Sequence, residues 1–234
     1  MLTPPDKKFT AADLCAYCGI APSEPGDGDH VIPRCVFELK SQSGIRVPSC
    51  LPCNNRKSKD EDYVRDWLCA HIDVDQSAVP AKVYDRFMRS AKRAKFGSAI
   101  ARAAMTQGRY ERRFTASGLY AGIEFAYPFD GIRVRETFER VTQGLYHAAH
   151  QQHLTADGQF AAGEVPRPRI GDRIGLLRGL GAIGPYSLGG RLCNVLFASE
   201  QTPSYLDVRA LITFYNDSVA VDVRYLKPLQ IVAG

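Results

Sequence analysis

The sequence predicts an α+β fold. A small N-terminal unit of two strands and a helix is built on four cysteines, and a longer α+β region follows, with a basic helix and C-terminal antiparallel strands. Three observations predict this. Two Cys-x-x-Cys pairs, Cys15/Cys18 and Cys50/Cys53, bracket short β-prone segments and lead into a helical apolar repeat. A strongly basic stretch with a narrow apolar stripe comes next. The chain ends in apolar runs over 191–198, 206–215 and 219–225, the last two separated by the turn signal Asn216-Asp217-Ser218.

Residues 1–14 read as an arm, with Phe9 and Leu14 available to anchor it. Cys15–Gly19 reads as a knuckle in which Gly19 supplies the permissive backbone of a tight turn. APSEPGDG at 21–28 is loop by composition. Asp29 to Phe37 reads as a first strand and its exit, Ile45 to Val47 as the returning strand, and Pro48 as its end. A helix starting near Cys53 carries acids early, at 60–62, and an apolar face of Tyr63, Val64, Trp67, Leu68, His71 and Ile72.

Four thiolates in two such pairs suit tetrahedral Zn²⁺, which takes N or S ligands at about 2.0–2.3 Å. A closed set of four sulfurs is structural, and it contributes folding free energy to a unit too small for a large core. Beside this clamp stand Asp29 and Asn54. Their oxygen donors suit a hard cation such as Mg²⁺ or Mn²⁺. The alternative for Asn54 is a helix N-cap. His30 follows Asp29 directly, and an imidazole with an unperturbed pKa of ~6.5 is a natural general base. Arg34, Arg56 and Lys57 flank these residues and are candidates to hold phosphates; Lys57 could instead pair within its own helix.

The segments C-x-x-C at 15–18, D-H-V-I-P at 29–33, V-P-x-C-x-x-C-N at 47–54 and N-x-x-K at 54–57 resemble the HNH endonucleases of the ββα-metal (His-Me finger) superfamily, in their zinc-stapled bacterial form. The likeness covers about the first third of the chain. It implies a metal-dependent endonuclease that hydrolyses phosphodiester bonds in DNA. It further implies His30 as general base, Asp29 and Asn54 on one catalytic Mg²⁺ or Mn²⁺, and Cys15, Cys18, Cys50 and Cys53 on a structural zinc. Products with 5′-phosphate and 3′-hydroxyl ends are implied as well. One departure stands out: an Asn that commonly braces the histidine-bearing loop is replaced here by Ile45, with Gln42, Ser43 or backbone contacts left to do its work. Two other readings remain open. One is a non-catalytic zinc module that binds nucleic acid or protein; the other is a nuclease directed at RNA.

Length and composition set the context. At 234 residues, with 45 % hydrophobic and 24 % charged residues, the chain suits one sizeable domain or two small ones. The expected division is an HNH-like unit over 1–75 and an α+β domain of unassigned role over 76–234, with the loop 73–80 between them. The N-terminus has no apolar signal core and no run reaches membrane-spanning length, so the expected setting is the cytoplasm, with no membrane partner. Cys35, Cys69 and Cys193 then read as buried thiols rather than disulfides.

Charge points to a partner. The whole chain carries +5, yet residues 82–113 alone hold ten basic residues against Asp85 and Glu111, a net +8. This stretch reads as one helix or a helix pair over 80–106, divided at Gly97, and either tracks phosphates or presents a solvated face. Strands over 109–127 interleave Tyr110, Phe114, Tyr120, Phe125 and Tyr127 with arginines. A base-stacking surface is one reading, and a buried sheet face the favoured one. Gly131 to His153 reads as a helix carrying His147, His150 and His153, with a surface place favoured over a metal site for the three, and 154–190 reads as irregular.

Overall fold

The computed structural model describes residues 9–10, 12–21, 28–39, 44–70, 79–93, 99–115, 117–190 and 192–229. Gln42, Ser43, His71, Ile72, Lys95, Gly97 and most of the 73–80 loop lie outside them. Strand β1 (Asp29–His30) pairs antiparallel with β2 (Arg46–Val47), setting Asp29 opposite Val47 and His30 opposite Arg46. Of the 29–37 segment expected to hold the first strand and its exit, only Asp29–His30 is strand. Pro33 offers no N–H for pairing, and the chain closes into a 3₁₀ turn at Arg34–Val36 that buries Val36 and Phe37.

Helix α1 (Leu51–Ala70) starts directly after Cys50, with Pro52 tolerated in its first turn. Asn54 therefore lies within the helix rather than capping it. The acids at 60–62 fall in mid-helix, not at the positive end of the dipole, and serve ion pairs instead. Asp60 accepts from Arg133 at 2.8 Å, Glu61 meets Lys57 at 2.8 Å and Asp62 meets Arg65 at 2.7 Å. Tyr63, Val64, Trp67 and Leu68 are buried, as the helical spacing predicts.

The basic stretch forms two helices, α2 (Ala81–Lys92) and α3 (Ala99–Gln107). Arg86 is not offered to phosphates. Its guanidinium donates to the carbonyls of Cys35, Phe37 and Glu38 at 3.3, 2.9 and 3.2 Å, clamping α2 onto the loop that follows His30. Strands β3 (Arg109–Phe114) and β4 (Tyr120–Ala126) make a two-stranded sheet of their own. Among the described side chains the buried face expected there is not seen: Tyr110, Phe114 and Tyr120 are exposed, and the ribbon joins neither of the other sheets. Tyr127, just beyond it, packs on the core.

Helix α4 (Gly131–His150) is capped by Asp130, whose side chain accepts from the N–H groups of Ile132 and Arg133 at 3.1 and 3.2 Å. Val134, Phe138, Val141, Leu145 and Ala148 are buried, as predicted. The helix stops at a left-handed Gln151, so His153 lies outside it. His147 is buried rather than on the surface, while the His150 ring meets the Ser199 hydroxyl at 2.8 Å. Among the described residues the three histidines form no metal cluster.

Residues 154–190 are not irregular. They hold β5 (Gln159–Glu164), α5 (Ile170–Gly179) and β6 (Ile183–Leu188). With β7 (Cys193–Gln201), β8 (Tyr205–Phe214) and β9 (Val219–Pro228), the strands form an antiparallel sheet ordered β5-β9-β8-β7-β6. Alternation sorts its two faces. Val195, Phe197, Ile212, Phe214, Val221 and Val223 join the main core with α1 and α4; Leu196, Ala198, Leu211 and Ala220 pack with Ile170 and Leu177 of α5. The expected turn at 216–218 is present, with Tyr215, Asn216 and Asp217 all left-handed.

The main core draws on both sides of residue 76. Val31, Ile32, Phe37, Trp67 and Leu68 share it with Phe138, Leu145, Phe214 and Tyr225. Cys69 and Cys193 are buried free thiols and Cys35 a half-buried one, as the sequence reading expects. Among the described residues no helix is long and apolar enough to cross a membrane. One close approach seats α4 behind β1: a Cβ at Gly144 would stand 2.9 Å from the Val31 side chain, next to His30. Gly→Ala in an open helix interior gains about 1 kcal/mol. Here we expect Gly144→Ala to cost about 1–3 kcal/mol through overpacking, measured by denaturant unfolding. A gain in stability would show that the contact yields freely.

Candidate metal centre and active-site cleft

The first knuckle closes through the Gly19 N–H to the Cys15 carbonyl at 2.8 Å and the Cys15 N–H to the Ile20 carbonyl at 3.0 Å. Gly19 takes the left-handed backbone, φ +69°, that its place in the turn requires. The Ala16 N–H reaches the Pro48 carbonyl at 2.9 Å and ties this knuckle to the second. There Cys50 precedes α1 and Cys53 sits in its first turn. The four sulfurs of Cys15, Cys18, Cys50 and Cys53 all lie within 4.8 Å of one another. Cys18 and Cys50 are 3.7 Å apart. A disulfide would need ~2.05 Å, whereas two sulfurs on one tetrahedral zinc at about 2.3 Å stand roughly 3.8 Å apart. The cluster is arranged to hold a metal ion such as zinc.

A polar cleft of about 640 Å³ opens beside the clamp. Asp29, His30, Arg34, Asn54 and Lys57 all line it, so the structure brings together five of the six residues expected there. Arg56 does not line the cleft; it is exposed on α1. Arg46 and Glu61 also face the cleft, and Tyr17 stands behind it; the sequence reading overlooked all three. The Glu61 signal was present in sequence, as an i+4 partner for Lys57. Arg46 and Tyr17 reach the site only through strand pairing and the knuckle, which spacing does not reveal.

Asp29 is buried and fully engaged. One carboxylate oxygen accepts from the Tyr17 hydroxyl at 2.6 Å and the other from the Lys57 ammonium. Burial, then the Asp29 charge, hold the Tyr17 phenol well above its usual range, so it stays a donor. Lys57 also meets Glu61 at 2.8 Å. Its alternative sequence reading, as an ion-pairing residue of its own helix, is therefore realised, and its ammonium is not freely offered to phosphate.

His30 is half-buried, and its pKa is lowered to about 4, first by burial and then by the positive charges of Arg34, Arg46 and Lys57. The imidazole is neutral near pH 7 and able to accept a proton. An anion entering the cleft would offset the positive field about the ring and move the pKa back up. Ile45, where the resembled family commonly has its bracing Asn, is buried in the core. Its carbonyl accepts the Val31 N–H at 3.0 Å, so backbone pairing fixes the residue after His30.

No protein family, curated protein or solved structure matches this chain.

The donor set suits zinc at the cysteines. It does not suit a divalent ion at Asp29 and Asn54 as they stand. Both Asp29 oxygens are engaged, one by a cation, and the cations ranged about His30 add a field that opposes another positive charge. Two outcomes follow. Cys50→Ser should lose the zinc found per chain by elemental analysis and melt at lower temperature; full retention of zinc would remove these sulfurs from the site. Lys57→Met strands the buried carboxylate and should cost about 3–5 kcal/mol. Mn²⁺ should then raise the melting temperature of the variant more than that of the wild type, and an equal response would show that Lys57 does not block the carboxylate.

Proposed function

We propose that the cleft at His30 hydrolyses phosphodiester bonds in DNA, making the chain an endonuclease of the ββα-metal type. The observation that carries the reading is a neutral imidazole set among Arg34, Arg46 and Lys57 in a polar cleft, on a strand pair and helix clamped by four cysteines. His30 takes the proton of the attacking water. Arg34 and Arg46 offset the charge of the bound phosphodiester, and the Asn54 amide offers a hydrogen bond on the cleft wall. Asp29 acts from behind by holding Lys57 at the cleft. The family resemblance implies Mg²⁺ or Mn²⁺ on Asp29 and Asn54. In the present arrangement that ion and the Lys57 ammonium are alternatives at one carboxylate, so no step is assigned to it.

A second reading has its own support. The Asp29–Lys57 pair gives two motif residues a structural task, as a non-catalytic zinc module would require. The two readings separate in one assay. Purified protein is incubated with supercoiled plasmid, with and without Mg²⁺ or Mn²⁺, beside zinc-loaded His30→Ala. Nicking or linearisation by the wild type, reduced about 10²–10⁴-fold in the variant, is the expected result. Cleavage that persists in His30→Ala contradicts it, and binding without turnover favours the module. A single-stranded RNA in parallel lanes tells whether RNA is the substrate instead.

A further inference from the structure

The β3–β4 ribbon is a sheet of two strands exposing large apolar groups. Such a pair is marginal in water by itself. Its register sets Arg112 opposite Ile123 and Phe114 opposite Tyr120, so these four side chains share one face with Tyr110. The described apolar side chains of this face are open to solvent: Tyr110 is 77 % exposed, Ile123 64 %, and Phe114 and Tyr120 59 % each. Phe114 and Tyr120 meet edge to face, ring centroids 6.0 Å apart. A contiguous exposed patch of this kind marks an interaction surface.

Charge chooses the partner. Arg112 is the charged side chain on that face, and the ribbon ends the 82–113 stretch with its net +8. Glu111 lies on the opposite face, paired with Arg109. Aromatic rings interleaved with cations stack unpaired bases while the cations follow phosphates. Rings offered on an open face find no base to stack on inside an intact duplex, so the fitting partner is a single strand. We infer that the β3–β4 ribbon binds single-stranded nucleic acid by stacking bases on Phe114 and Tyr120, with Arg112 on the backbone. This rests on the proposed function only in taking nucleic acid as the substrate class.

The test reads binding, not cleavage, and so stands apart from the fate of the nuclease reading. A fluorescein-labelled oligo-dT and a duplex of equal length are titrated with the full chain in the His30→Ala background, where the probe is spared. The same titration follows with Phe114→Ala/Tyr120→Ala added. Tighter binding of the single strand, weakened about 10-fold or more by the double variant at unchanged melting temperature, is expected. Arg112→Ala should flatten the salt dependence. Absence of single-strand binding, equal affinity for duplex, or affinity indifferent to the ribbon variant would each overturn the inference. So would sedimentation showing that the variant instead breaks a dimer, which would make a second copy of the chain the occupant.

Discussion

One buried carboxylate holds the functional end of this molecule together. Asp29 takes a hydrogen bond from Tyr17, which lies between the two cysteines of the first knuckle, and an ion pair from Lys57, one turn beyond the second. Knuckle, strand and helix are thereby joined at a point next to His30. The cost of burying the charge is offset because both oxygens are satisfied; loss of Lys57 would leave an uncompensated anion, and loss of Tyr17 an unsatisfied buried oxygen. The metal clamp and this carboxylate act on the same segments: sulfur ligands draw Cys15–Cys18 and Cys50–Cys53 together, and Asp29 fixes how the strand lies across them.

The rest of the fold braces that arrangement. Arg86 grips three carbonyls in and just after the 3₁₀ turn, the Tyr215 hydroxyl reaches the Val36 carbonyl at 3.2 Å, and Gly144 lets α4 lie against Val31. The segment carrying His30 and Arg34 is thus held from α2, from the C-terminal sheet and from α4. A residue placed this way can keep a lowered pKa, since desolvation and fixed cations act only on a group that cannot move away from them.

The site was more legible in sequence than the fold around it. Cysteine spacing and the Asp29-His30 and Asn54 positions are local, and the structure gathers Asp29, His30, Arg34, Asn54 and Lys57 at one cleft. What the sequence hid was pairing: Asp29 looked like a free donor because its ties to Tyr17 and Lys57 are tertiary. Elsewhere, glycine and proline suggested irregular chain over 154–190, yet Ile170 and Leu177 pack α5 on Leu196 and Leu211 strongly enough to override weak local propensity. The ribbon failed in the opposite sense. Alternation told which side chains share a face of β3–β4, but not whether anything covers that face. His147 is buried because α4 lies between α1 and the sheet, a width of contact that an apolar stripe does not announce.

The central claim is that His30 stands as a neutral base in a cation-lined cleft. Its most direct test is the titration of the His30 ring by NMR on isotope-labelled protein without substrate. The account requires a midpoint near 4, displaced upward when Arg34 or Arg46 is replaced by a neutral residue. A midpoint near the unperturbed value of ~6.5 would contradict both the burial of the ring and the cationic field assigned to the cleft.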